Sequence, residues 1–228
     1  MSNQMFKMTK DLANLLEFVS KINPSVSFDG SNRVAVVSTA GNAFFRVLLD
    51  SPIPAFSVYD ITTLLKMAKL FGEPDIELDE DDNKVLLIKS PDNSAIGRYV
   101  TCESSLIAPI IQNDVGSDVQ TDAKFTFSSK WISNLIKSAH AISANSITFN
   151  FDTTKSTVLL HDKNCPNGNT ITLDITATCS KPGSYTVDID DFKIYPADYE
   201  LTASSEGILV LRSISDTDGL NILFSIAI

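Results

Sequence analysis

Eight of the fourteen lysines, Lys7, Lys10, Lys21, Lys66, Lys69, Lys130, Lys137 and Lys193, fall on four stretches whose apolar residues recur at helical spacing. A lysine ammonium is a mobile point charge on a flexible stem. It attracts phosphate without reading a base, so a surface built from such groups binds polyanions in a sequence-independent, salt-sensitive way. The same stretches hold only five of the twenty-eight acids, Asp11, Glu17, Asp60, Asp190 and Asp191. Their net charge is therefore +3, which leaves −13 on the rest of a chain whose total is −10. One basic amphipathic helix is ordinary solubilising chemistry. Four in an acidic chain are different: if they share a face, that face is the only positive one, and phosphate is its natural ligand.

Other chemistries find little material. Cys102, Cys165 and Cys179 are too few and too far apart for a disulfide framework or a zinc site, and His140 and His161 alone do not make a triad. There is no Gly-rich phosphate loop and no G-x-S-x-G elbow. The acidic run Asp79-Glu80-Asp81-Asp82 offers oxygens to a hard cation, but it reads as a hairpin tip. Trp131 lies within the apolar stripe of its helix and reads as core rather than as a platform for bases. The expectation is a non-enzymatic protein with no metal and no cofactor.

The elements that must position the lysines are legible. Thr9 is an N-cap candidate for a helix to Ile22 with Leu12, Leu15, Leu16, Val19 and Ile22 on one stripe, stopped by Pro24. Asp60 caps a second helix to Phe71, stopped by Gly72 and Pro74. A third runs from Ser129 to Ile142, and a short fourth is expected at Ile189–Tyr195, cut off by Pro196. Strands are expected between them, with an Asp29-Gly30 hairpin after Val26–Phe28, a strand at Ala95–Thr101 and one strand over Thr170–Ala177.

The chain also repeats itself. Asp75-Ile-Glu-Leu78, followed by Val85-Leu-Leu-Ile-Lys-Ser90, returns as Asp198-Tyr-Glu-Leu201 and Ile208-Leu-Val-Leu-Arg-Ser213. The acidic run of the first copy becomes Thr202-Ala203-Ser204-Ser205 in the second, without a carboxylate, which argues against a conserved role as a cation site in the two halves. Two similar halves are expected, residues 1–102 and 124–228, joined by a polar linker over 103–123 that encloses the apolar island Leu106–Ile111. Each half reads as two helices with antiparallel strands. The class is α+β.

This order, with lysines on the helices and acid elsewhere, resembles the DNA sliding clamps, most nearly the trimeric clamp of T4-type bacteriophages. The likeness is carried by the Leu12–Ile22 helix, Val58-Tyr-Asp60-Ile with its helix, and Phe192-Lys-Ile-Tyr-Pro-Ala-Asp-Tyr-Glu-Leu201. It implies a closed homotrimeric ring of six domains, with the eight lysines facing double-stranded DNA and a continuous sheet outside. It implies subunit contacts between Ile96, Arg98, Tyr99 and Val100 of one chain and Thr172, Leu173, Asp174, Ile175, Thr176 and Ala177 of the next. It also implies a pocket for a partner's apolar tail at Val37, Ala43, Leu106, Ile107, Ile110, Ile111, Ile226 and Ile228. The implied partners are the replicative DNA polymerase, a clamp loader and a phage late-transcription factor.

The competing reading is a structural β-rich viral protein with no role in tethering to DNA, which accounts for the strands but not for the basic helices. No run reaches the length of a membrane helix, so no membrane partner is expected. Met1–Lys10 lacks the apolar core of a signal peptide, and the expected location is the cytoplasm of a bacterial host.

Overall fold

The computed structural model describes residues 5–79, 81–82, 84–107, 113–116, 118–214 and 221–228. The first part of the chain forms β1 (Met5–Lys7), α1 (Lys10–Ile22), β2 (Val26–Phe28), β3 (Arg33–Val37), β4 (Ala43–Leu48), β5 (Phe56–Val58), α2 (Ile61–Leu70), β6 (Asp75–Leu78), β7 (Val85–Lys89) and β8 (Ile96–Val100). A single 3-10 turn follows at Ser104–Leu106. The rest forms β9 (Ala123–Phe127), α3 (Ser129–Ala141), β10 (Ser146–Phe151), β11 (Ser156–His161), β12 (Ile171–Ile175), β13 (Ala177–Cys179), β14 (Gly183–Asp188), β15 (Tyr199–Ser204), β16 (Ile208–Ser213) and β17 (Asn221–Ala227). Eleven strand pairings among the described residues are antiparallel, and the architecture is α+β.

The chain divides into two compact units, Met1–Thr39 with Phe45–Asn113, and Ala40–Phe44 with Asp114–Ile228. In the first, β1-β6-β7-β8 make one sheet, with Phe6 opposite Ile76 and Ile76 opposite Ile88. Two amphipathic helices bury Leu15, Leu16, Val19 and Ile22 from α1 and Ile61, Leu64, Leu65 and Ala68 from α2. Ile76, Leu86 and Ile88 are equally buried. Each such side chain removed from water is worth about 1.5–3 kcal/mol, so the apolar stripes decide how the helices lie and leave the lysine faces to solvent.

The second unit has a sheet β12-β11-β10-β14 and a longer sheet running β13-β9-β15-β16-β17, continued by Ala43 and Phe44 of β4. The repeated Asp198 does local work here: its carboxylate accepts from the Ser129 backbone N–H at 2.8 Å, beside the Ser128 hydroxyl that caps α3. In the first unit Glu73 performs the comparable task at the start of α1, accepting from the Lys10 N–H at 3.2 Å. An acid just before, or at the start of, each repeated hairpin thus ties it to a helix N-terminus, where unpaired N–H groups favour negative charge.

Four expectations need correction. The fourth helix does not form: among the described residues there are three α-helices, and Ile189–Asp191 is a turn followed by irregular chain to Tyr195. The Phe192 N–H reaches back to the Asp188 and Ile189 carbonyls, and the Phe192 ring is buried against Phe149 at 5.7 Å. A single anchored aromatic with Pro196 close behind leaves no length over which a helix can propagate. Lys7 sits on β1, opposite Asp75, and not on a helix. Gly30 turns the chain with φ +88°, but β2 pairs with β5 instead of closing a hairpin on β3. Finally, Thr170–Ala177 is broken at Thr176. β12 pairs with β11, whereas β13 crosses to β9 in the other sheet.

Candidate nucleic-acid interface

In the first unit the polar faces of α1 and α2 meet. The Ile61 N–H donates to the Pro24 carbonyl at 2.9 Å, so the end of α1 abuts the start of α2. Further along, Lys69 Nζ lies 2.8 Å from Glu17 Oε2, and beyond that the Glu73 carboxylate reaches Lys10. These three contacts order the pair as antiparallel neighbours. Lys10, Lys21, Lys66 and Lys69 are all exposed on them, and Lys7 is exposed on β1. Both helices begin with a side-chain cap: the Thr9 hydroxyl accepts from the Leu12 N–H at 3.2 Å, and the Asp60 carboxylate accepts from the Thr62 N–H at 2.9 Å. Hydrogen bonds from the Thr62 and Thr63 hydroxyls hold the Asp60 carboxyl below its ordinary range.

In the second unit α3 presents Lys130 and Lys137, seven residues apart and both exposed, with no acidic residue anywhere in the helix. Trp131 is half-buried and packs against the buried rings of Phe125 at 5.1 Å and Phe127 at 5.3 Å, at the margin of the core. Lys193 is exposed on the irregular segment just after the turn that replaces the expected helix. Lys66, Lys130 and Lys137 have no ion-pair partner among the described residues. Six carboxylates elsewhere pair with other cations: Glu103 with Lys84, Glu77 with Lys89, Asp79 with Arg98, Glu200 with Lys124, Asp174 with Lys155 and Asp188 with Lys163.

The proposed subunit contacts fall on two sheet edges, except Thr176, which lies between strands, and Ala177, which belongs to β13. β8 ends the first unit's sheet, and β12 ends the β12-β11-β10-β14 sheet of the second. Ile96, Arg98 and Val100 are exposed on β8; Tyr99 turns inward and donates its hydroxyl to the Asp60 carbonyl at 3.1 Å. On β12, Thr172 and Asp174 are exposed while Leu173 and Ile175 are half-buried; exposed Thr176 and half-buried Ala177 lie at and beyond the corner.

The residues nominated for a partner pocket are placed less uniformly. Leu106 is exposed, and Val37 and Ile107 are half-buried in the first unit. In the second, Ile228 is exposed, but Ala43 and Ile226 retain only 4% and 1% of their surface. Those two present almost nothing to a ligand in this chain. Ile110 and Ile111 lie outside the described residues.

Sequence reading missed the part of the linker that is fastened down. The Ser225 hydroxyl donates to the Val115 carbonyl at 2.6 Å, and Gly116, at φ +81°, lies so close to Val210 that a Cβ there would be 2.8 Å from Val210 Cγ2. Only Gly116 itself, a lone glycine in a polar stretch, signals this in the sequence. Among the described residues no group of three or more His, Cys, Asp or Glu side chains is arranged to hold a metal. Among the described residues no helix is long and apolar enough to cross a membrane.

This arrangement is the DNA-clamp fold. The chain is similar over its whole length to the proliferating cellular nuclear antigen of Entamoeba histolytica, with a TM-score of 0.75, 16% identity and coverage of 100% of this chain and 99% of that one. It is also similar to A. fulgidus PCNA bound to the C-terminal region of FEN-1, with a TM-score of 0.71, 12% identity and coverage of 98% and 97%. No family model matches the chain, and no curated protein matches it.

Proposed function

We propose that this chain is a sliding clamp. Three copies close into a ring around duplex DNA and hold the replicative polymerase at the primer end, in the manner of the T4-type phage replisome. The observation that carries the reading is the exposed lysine face on the helices of each unit, α1–α2 in one and an acid-free α3 in the other, in a clamp fold whose total charge is −10. Two sheet edges with solvent-facing residues, β8 and β12, are the natural places for one copy to pair with the next, since an open strand edge invites β-pairing.

The mechanism needs no catalysis. A closed ring is held by topology, so the lysines need only a weak attraction that is indifferent to position along the duplex. Tethering raises the local concentration of polymerase at the primer end. Leu106 and Ile107 are the apolar side chains offered to a partner's tail, whether that partner is polymerase, loader or a late-transcription factor. The site of action is the host-cell cytoplasm.

The test is retention on closed circular DNA against linear DNA with free ends, after loading with a clamp loader. Persistence on the circle with rapid escape from the linear molecule is the expected result; equal loss from both overturns the reading.

A further inference from the structure

Glu17 is out of place on a surface that attracts phosphate. It lies on the polar stripe of α1 with Lys10 and Lys21, and its carboxylate oxygen sits 2.8 Å from Lys69 Nζ on the neighbouring helix. Both side chains are well exposed, at 60% for Lys69 and 47% for Glu17. Ion pairs so open to water contribute little to fold stability, because solvent already screens each charge and two long side chains must be ordered to make them. The helices have stronger reasons to pack, namely their buried stripes. The bridge is therefore poorly explained as a structural fastening.

Its electrostatic effect is larger than its structural one. Glu17 occupies Lys69 directly, and its carboxyl is held below the ordinary range chiefly by that hydrogen bond, with a smaller pull from Lys21. It thus stays ionised down to acidic pH and subtracts one charge at the centre of the α1–α2 face. The other carboxylates on these helices are at their ends: Asp11 in the first turn of α1 and Asp60 at the cap of α2. α3, in the second unit, carries no acid at all.

We propose that Glu17 is an attenuator of DNA attraction: by engaging Lys69 it keeps one ammonium per chain from settling on a phosphate, so that the basic face holds duplex loosely enough to move along it. This rests on the clamp reading and names the residue that tunes its DNA-facing surface. A phosphate approaching the face must compete with Glu17 for Lys69. Removing the competitor turns Lys69 into an additional phosphate contact, and each such contact steepens the fall of log affinity with log salt by about 0.9.

The experiment measures binding of a short labelled linear duplex to the full-length protein over a salt series, comparing wild type, Glu17→Gln, Lys69→Ala and the double variant, with Lys66→Ala as reference. The attenuator account expects Glu17→Gln to bind more tightly at low salt. It expects a salt slope steeper by about 0.9 for each Lys69 engaged, which is about 3.5-fold in affinity over a fourfold change in salt. The double variant should lose that gain, and Lys69→Ala alone should change binding far less than Lys66→Ala. If Glu17→Gln leaves affinity and slope unchanged while Lys66→Ala weakens binding, the attenuator is wrong and the basic face stands. If neither variant changes binding, the face does not contact DNA and the attenuator falls with it. A gain that persists in the double variant also overturns the proposal, because it does not pass through Lys69.

Discussion

Replacing Lys66 by alanine separates DNA contact from folding more cleanly than any other single change. Its side chain is exposed in the middle of α2, with no ion-pair partner among the described residues, and alanine is at least as good a helix former. The fold should therefore change by no more than about 0.5 kcal/mol. Its effect on DNA follows from counterion release. Each lysine that neutralises a phosphate contributes about 0.9 to the slope of log affinity against log salt. The proposed ring of three chains would hold three copies of Lys66, so the slope should fall by about 0.9 if one touches phosphate at a time and by about 2.7 if all do. Over a fourfold rise in salt this corresponds to between about 3.5-fold and about 40-fold less salt sensitivity than wild type. Fluorescence anisotropy with a short duplex reads the slope, and thermal melting reads the fold. An unchanged slope with intact folding would refute the claim that α2 faces the duplex.

Three further outcomes follow from particular contacts. Gly116→Ala and Gly41→Ala both place a side chain at positive φ, +81° and +78°, at a cost of about 1–2 kcal/mol each. Only at Gly116 does the new Cβ collide with Val210 and Ile208, so this variant should melt lower than Gly41→Ala; equal melting temperatures would mean the linker is not seated on β16. Asp60→Ala removes the cap of α2 and should cost about 1 kcal/mol in denaturant titrations near neutral pH. Because hydrogen bonds from Thr62 and Thr63 lower the folded-state pKa of Asp60, its contribution is present above the unfolded value near 3.8 and is lost as pH falls through the lowered one. The difference between wild type and variant should therefore shrink in acid, and a pH-independent difference contradicts the capping role. Val100→Lys puts a charge on the β8 edge at a position 73% exposed, so the single chain should keep its stability while native mass drops from about 74 kDa, three times 24.8 kDa, to that of one chain. Retention of the larger mass would remove β8 from the subunit contact.

Elements whose cause is local were readable from the sequence. Thr9 and Asp60 announce their helices because a short polar side chain at that position accepts from the helix's own free N–H groups. The stripes of α1, α2 and α3 are periodic over ten residues or more, and all three formed. What escaped depends on tertiary partners. Ile189–Tyr195 has a helical hint, but the Phe192–Phe149 contact and Pro196 favour a turn. β1 is three residues long and exists only because Asp75–Glu77 offers it a partner. The break at Thr176, where the chain leaves β11 for β9, has no turn residue to mark it.

Part of the candidate surface was legible in the same way: exposure of six of the eight lysines follows from the stripes opposite them; Lys7 instead alternates on a strand, and Lys193 is exposed on a segment that is not helical. The Glu17–Lys69 bridge was not legible, since it joins residues 52 positions apart on different helices. Nor was the burial of Ala43 and Ile226, which is set by strand neighbours distant in the chain.

Covalent closure of the ring tests the central claim most directly. With Cys102, Cys165 and Cys179 replaced by serine, Arg98→Cys on β8 and Thr172→Cys on β12 allow neighbouring copies to be joined by a thiol crosslinker after loading on a closed circular plasmid. If three chains encircle duplex, the crosslinked protein stays with the circle in denaturant and is released when the plasmid is cut once. Release from the uncut circle in denaturant, or crosslinking that stops short of a closed trimer, contradicts the account.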